Sequence, residues 1–352
     1  MQLRDCVRTA ANKLSPEGIA LAARVADLTL PPNERIRHYE ELVATEVGST
    51  GLHRARGLER ATGLQRLYLK IEGDNPSGTQ KDRIAFVQVL QALREQRPGI
   101  GVATCGNYGV AVALAAQAAG MRCRVYLPQS YHSERTGEME ALGAEVHRLP
   151  GTYEDVVTSS SRLLREDAWA DANPGPENAR LQLAAYRSVG LEIAQGLRAN
   201  GEHECPAWVA LPVSNGTLLA GAGAGLREAY PSPSPRLLAG SSTHKNPITA
   251  ALKRGLAVCE DLDPRRIHET ATNEPLINWH AFDGQEALDA VRQSGGRGAD
   301  VSDRRLKECA ALLRRTEAYQ ALPASCAGLV GLLDLDAAER GKLHVAVLTA
   351  RR

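Results

Sequence analysis

One lysine stands where its charge is unwelcome. The run Asn75-Pro-Ser-Gly-Thr-Gln-Lys81-Asp-Arg83 follows an apolar segment, Leu67-Tyr-Leu-Lys-Ile71. It precedes a stretch in which Ile84, Val87, Leu90 and Leu93 recur on one helical face. Lys81 therefore sits where a Pro/Gly turn enters a helix, and a cation there opposes the helix dipole. An isolated loop lysine is ordinarily a solvated charge, but an amine placed against the local field is also a candidate nucleophile. Two more glycine turns join apolar runs to helical patterns. Thr104-Cys105-Gly-Asn107, followed by Tyr108, opens an Ala-rich helix to about residue 119, and Ser214-Asn215-Gly216-Thr217 opens a Gly/Ala-rich helix from 218. Amides at a helix start bind phosphate, and glycine permits close approach. Taken alone, the 214–217 turn serves equally well as a plain helix cap. Other motifs are missing: Leu343 after Gly341-Lys342 breaks a phosphate-loop pattern, Gly221, Gly223 and Gly225 merely alternate within a helix, and there is no Gly-x-Ser-x-Gly.

The elements around these turns follow a strand–helix–strand rhythm. Strands are expected at 67–71, 101–104, 122–127, 145–149, 208–213, 236–240 and 344–349, with helices at about 82–96, 133–142, 153–166, 177–199, 218–230, 303–315 and 325–335. That order predicts an α/β fold with mostly parallel sheets and right-handed crossovers. With 352 residues the chain divides into two domains. The expected division is an N-terminal helical extension over 1–66, partly joining the larger domain, then a smaller α/β domain over 67–155 and a larger one over 156–352. Ser15-Pro16 reads as the start of one helix in the extension. Residues 245–300 carry no readable pattern, although 273–280 form an unusual polar–aromatic run.

Composition removes several function classes. Lys and Arg number 42 against 41 Asp and Glu, with no basic tail, which argues against a nucleic-acid partner. The most apolar stretch, Gly109 to Gly120, is interrupted by Gln117 and is too short to span a bilayer, so no membrane association is expected. Met1 to Cys6 has no signal-peptide core, which points to the cytoplasm. Seven cysteines without a Cys-x-x-Cys pair, and scattered histidines, imply neither a disulfide scaffold nor a metal site.

A lysine that can form an imine, together with a separate phosphate cradle, is what pyridoxal 5'-phosphate requires. The sequence resembles the threonine synthase-like branch of the fold-type-II, tryptophan synthase β-like, pyridoxal-phosphate enzymes over nearly the whole chain after about residue 48. Lys70-Ile-Glu72 with Asn75–Arg83 resembles the cofactor-lysine motif, which implies Lys81 as the Schiff-base lysine. Thr104-Cys-Gly-Asn107 resembles the Ser-Gly-Asn loop and implies that Asn107 bonds the cofactor's phenolic oxygen. Pro212-Val-Ser-Asn-Gly-Thr217 resembles the phosphate loop, giving Ser214, Asn215, Gly216 and Thr217. Leu322-Pro-Ala-Ser325 and Val347-Leu-Thr349 resemble the closing elements, with Thr349 facing the pyridine nitrogen. Ser77, Thr79, Arg83, Thr104, Cys105 and Tyr108 are the implied neighbours of a small amino-acid substrate, and a homodimer is the implied assembly.

The resemblance implies elimination or replacement on an amino acid, first of all conversion of O-phospho-L-homoserine and water to L-threonine and phosphate. The alternatives are β-elimination or β-replacement on serine, threonine or an O-activated serine, and, from another class, a catalytically idle paralogue that binds or regulates. Departures from the family pattern cluster around the substrate. Cys105 replaces a serine or threonine, Tyr108 and Gln80 stand for a threonine and a phenylalanine, Ser214 replaces a glycine, and Leu322 replaces a glutamate. Cys105 is expected to pack as a small apolar residue and Tyr108 to wall the pocket. Arg83, Arg180 and Lys245 are the cations open to a phosphate leaving group, with Arg180 also reading as a helix-surface residue.

Overall fold

The computed structural model describes residues 13–104, 106–130 and 135–351. Its strands are β1 (Leu52–Arg54), β2 (Leu67–Ile71), β3 (Gly99–Ala103), β4 (Arg122–Pro128), β5 (Ala144–Leu149), β6 (Ala170–Asp171), β7 (Trp208–Pro212), β8 (Arg236–Ser242), β9 (Arg297–Val301) and β10 (His344–Leu348). They form a four-stranded sheet, β5-β4-β3-β6, and a six-stranded sheet, β1-β2-β10-β7-β8-β9. Every pairing is parallel except that of β1 with β2. The expected α/β architecture is therefore present. The chain forms two units, one running through Gly48 and again from Asn75 to Pro174, the other comprising Ser49–Asp74 and the chain from Gly175 onward.

In the first unit β3 is buried along its whole length, as a central parallel strand must be. The helix Asn107–Ala118 is buried on nearly every side, and its alanines and valines leave room for close packing. The helices Pro16–Ala26 and Pro32–Glu46 belong here. Ser15 caps the first of them by accepting the Gly18 amide. Tyr39 explains the attachment: it is buried, stacks on Phe86 with ring centroids 6.1 Å apart and donates to the Ala115 carbonyl at 3.0 Å.

The unit boundaries differ from the expected ones in three places. Of the extension, the helices Pro16–Ala26 and Pro32–Glu46 join the smaller unit, because Tyr39 anchors the second of them to the helices Lys81–Arg94 and Asn107–Ala118, while the chain from Ser49 lies in the larger unit. Residues 156–174 also lie in the smaller unit, since β6 pairs with β3. Strand β2, expected to open the smaller sheet, lies in the larger one between β1 and β10. Hydrophobic patterning identifies a strand but not the sheet it pairs into.

In the second unit β2 is held by charge as well as by its ladder. Lys70, 1% exposed, donates to the Thr50 carbonyl at 2.7 Å and to Glu192 at 2.6 Å, while Thr50 donates to Glu72 at 2.7 Å. The helix Thr217–Ala229 lies against Pro176–Ala199 at backbone distance. A Cβ on Gly190 would meet the Ala222 carbonyl oxygen at 2.2 Å, and one on Gly225 the Arg187 carbonyl oxygen at 2.1 Å. Residues 245–300 supply the helices Pro247–Arg254 and Gly284–Gln293 and strand β9. Among the described residues no helix is long and apolar enough to cross a membrane, and no cluster of His, Cys, Asp and Glu could hold a metal.

Candidate active site

Two sets of residues form, one in each unit. In the first unit the Lys81 turn is built almost wholly from its own hydrogen bonds. Gly78 takes φ +85, and its amide bonds the Asn75 carbonyl at 2.8 Å. Asp82 reaches back to accept the Ser77 amide at 2.7 Å, and Thr79 Oγ1 accepts the Lys81 amide at 2.9 Å. The asparagine that opens the turn accepts the Gly48 amide at 2.9 Å. Lys81 is thus fixed as the first residue of the helix Lys81–Arg94, with its ammonium 5.1 Å above the Tyr108 ring centroid. The electron-rich ring face offsets the unfavourable helix dipole. The Tyr108 hydroxyl donates to the Ala172 carbonyl at 2.8 Å, which fixes the ring in place.

Asp82 is fully buried, and one of its oxygens, Oδ1, has no hydrogen-bond partner. Burial pushes its carboxyl up to about 7, against the hydrogen bond from the Ser77 amide and the charges of Arg135 and Lys13. The Ser77 hydroxyl is buried without an acceptor of its own. Thr104 is spent on local structure, accepting the amides of Gly106 and Gly109 at 3.0 and 3.2 Å. Asn107 begins the next helix, and its side-chain oxygen accepts from Arg135 at 2.8 Å. Arg83 is 3% exposed on the first turn of its helix. Cys105 lies outside the described residues, as do 131–134 at the start of the helix expected over 133–142, which is observed as Thr136–Ala141.

In the second unit the parallel strands β10 and β7 are neighbours, with Ala346 beside Ala210. Their carboxyl ends therefore place Thr349 and the 214–217 turn on the same edge of the sheet, where parallel α/β sheets bind ligands. Gly216 has φ +101, and a Cβ there would lie 2.5 Å from the Asp283 carbonyl oxygen. The helix that follows has no side-chain cap, and its first backbone bond runs from Ala220 to the Gly216 carbonyl. The amides of Thr217, Leu218 and Leu219 thus have no acceptor within the helix, although all three residues are buried. Uncapped amides at a buried helix start have the chemistry to receive an anion.

The side chains of this turn are held from behind. Ser214 donates to Asn278 Oδ1 at 2.6 Å, and Asn278 Nδ2 donates to Asn215 Oδ1 at 3.0 Å. The Thr217 hydroxyl donates to Asp283, whose own amide bonds the Asn215 carbonyl at 3.0 Å. The hydroxyl protons of Ser214 and Thr217 are occupied in this way, so the donors left for a phosphate are backbone amides. On the same edge Thr349 shares a 3.0 Å bond with Ser325, which also accepts the Ala350 amide at 3.0 Å.

Sequence reasoning missed Arg135, Asn278 and Asp283, and did not carry Ser325 into the site. The polar–aromatic run 273–280 is partly the brace of the cradle. Arg180 is exposed on Pro176–Ala199, and Lys245 donates to the His268 carbonyl at 2.6 Å. Asn173 accepts the Ala103 amide and donates to Ser160 and Ser161, a structural post.

The profile of the family described as "Pyridoxal-phosphate dependent enzyme" matches residues 43–350. The chain belongs to that family. Its cofactor is pyridoxal 5'-phosphate, and the uncapped cradle suits the phosphate of that group. This pyridoxal-phosphate enzyme is similar to threonine synthase of Methanocaldococcus jannaschii, at 26% identity over 308 residues, covering 85% of this chain and 73% of the relative. Threonine synthase of Methanosarcina acetivorans is 27% identical over 320 residues, covering 88% and 76%. Among solved structures, the threonine deaminase of T.th. shares the fold, with a TM-score of 0.73 at 23% identity over 92% of this chain and 98% of that one.

Proposed function

We propose that this enzyme is a carbon–oxygen lyase that converts O-phospho-L-homoserine and water to L-threonine and phosphate. The observation that carries the reading is Lys81, fixed at a helix start with its ammonium over Tyr108, in a chain that threonine synthases match along 85–88% of its length. The cofactor, when bound, supplies an electron-accepting ring that stabilises negative charge next to the substrate's amino carbon. Lys81 is assigned as the residue that carries it and, once displaced by the substrate amine, as the base that takes the Cα proton.

The remaining roles follow from hydrogen-bonding chemistry. Thr349, bonded to Ser325, offers the ring nitrogen a neutral hydroxyl. Unlike a carboxylate, a hydroxyl does not hold a proton there, which suits prompt loss of a leaving group over transamination. The cradle Ser214–Thr217 takes the phosphate through its backbone amides. Asn107 orients the ring. Ser77, whose buried hydroxyl lacks an acceptor, is assigned to the substrate carboxylate. Thr79 and Thr104 shape their turns instead.

A second reading, β-elimination or β-replacement on serine, threonine or an O-activated serine, has one observation in its favour. Two of the three cations expected for a phosphate leaving group are taken up elsewhere: Arg180 lies on an exposed helix face and Lys245 holds a backbone carbonyl. A panel of O-phosphohomoserine, threonine, serine and O-acetylserine, read for phosphate, keto acid and amino-acid products, separates the readings. Phosphate release with threonine formation is expected. Failure of phosphohomoserine either to release phosphate or to perturb the cofactor spectrum, with turnover of another member, refutes the first reading in favour of the second. Lys81→Ala is expected to lose the visible absorbance of the holoenzyme and all turnover. A wild-type protein that stays colourless with added cofactor would instead be an idle paralogue. The proposal extends to a cytoplasmic homodimer, which light scattering tests.

A further inference from the structure

We propose that Arg135 is a positioning residue that fixes which end of the Asn107 carboxamide meets the cofactor. The inference rests on the reading of Asn107 as a cofactor contact. Arg135 immediately precedes the helix Thr136–Ala141, and its guanidinium reaches Asn107, Ser77 and Glu138. Nη1 donates to Asn107 Oδ1 at 2.8 Å, Nη2 to the Ser77 carbonyl at 3.0 Å and Nε to Glu138 at 2.8 Å. Glu138 also pairs with Lys13 at 2.5 Å, which fixes the far side of the fork.

A guanidinium can only donate hydrogen bonds. The amide atom facing Arg135 must therefore be the oxygen, and the two N–H donors of Asn107 must point away from it. The amide is thereby set as a donor. The phenolic oxygen of pyridoxal phosphate, when ionised, accepts hydrogen bonds, so a donor stabilises it and a carbonyl oxygen would repel it. Without Arg135 the carboxamide is free to rotate between those two faces. The bond to Ser77 adds a second function. Reaching across 58 residues from Arg135 to Ser77, it ties the turn that carries Lys81, through Arg135, to the turn that carries Asn107.

The test is a pH titration of the visible absorbance of the holoenzyme, made on wild type, Asn107→Ala, Arg135→Met and the double variant. Methionine keeps the packed stem and removes the donors together with the charge, and a charge effect that did not run through Asn107 would add to that of Asn107→Ala in the double variant. Loss of a donor to an anionic oxygen raises its proton affinity, so Asn107→Ala should move the midpoint up by about one unit, a tenfold change. Arg135→Met should move it the same way, and the double variant should match Asn107→Ala alone. An unmoved midpoint in Arg135→Met beside a shifted Asn107→Ala overturns the proposal, as does an additive double variant. An unmoved midpoint in Asn107→Ala overturns the reading of Asn107, and the role of Arg135 with it. If the cofactor-free Arg135→Met protein does not melt cooperatively, Arg135→Leu, which also lacks donors, replaces it and is read by the same criteria.

Discussion

Asp82 should make the protein lose stability as pH rises through the neutral range. Burial lifts its carboxyl from 3.8 to about 7 in the folded chain. Between those values the folded state holds a proton that the unfolded state has released. Stability from this group is therefore fully present below pH 3.8 and is lost as pH rises through about 7. A displacement of roughly three units corresponds to about 4 kcal/mol across the interval. Asp82→Asn mimics the protonated acid and keeps an oxygen to accept the Ser77 amide, so it should lack this dependence. Replacing Oδ1 by an amide group carries its own cost, but that cost does not vary with pH. The measurement is the urea midpoint of both cofactor-free proteins at about pH 5, 6, 7 and 8. The difference in stability, variant minus wild type, should climb with pH by a few kcal/mol. A difference that is flat across the series would mean that Asp82 is already ionised in the fold, and that burial does not outweigh its hydrogen bonds and neighbouring charges.

Two other perturbations follow from the second unit. Gly216→Ala forces a side chain into φ +101 and within 2.5 Å of a backbone oxygen; it should cost about 2 kcal/mol or more and weaken cofactor uptake, measured by thermal melting and spectral titration, and wild-type behaviour in both would contradict the cradle geometry. Ser325→Ala leaves the buried Ala350 amide without its acceptor and the Thr349 hydroxyl without its neighbour; the expected loss is about 1–3 kcal/mol, and an unchanged melting temperature would mean that the pair contributes nothing.

The parts of the site legible in the sequence are those that local chemistry writes. Lys81, Asn107 and Gly216 each sit at a strand-to-helix turn, and a turn is specified by its own glycines and hydroxyls. Thr79 holds the Lys81 amide from two residues away, and Thr104 holds the Gly106 amide likewise. Helix starts at Pro16, Lys81 and Asp303 were legible for the same reason.

What could not be read lies in pairs that only the fold brings together. Arg135 meets Asn107 across 28 residues, Asn278 and Asp283 meet the cradle across 64 and 66, and Ser325 meets Thr349 across 24. The same limit placed β2 in the wrong sheet, because its alternatives differ only in which distant strand it pairs with. The sequence by itself determined the α/β class, the turn that leads into the helix at Lys81 and the glycine turn that leads into the helix at Thr217, since short-range sterics and hydrogen bonds decide such turns. Only the tertiary structure decided which unit each strand joins, which atom of Asn107 faces Arg135 and which side chains brace the 214–217 turn, because those depend on contacts whose partners are remote in the chain.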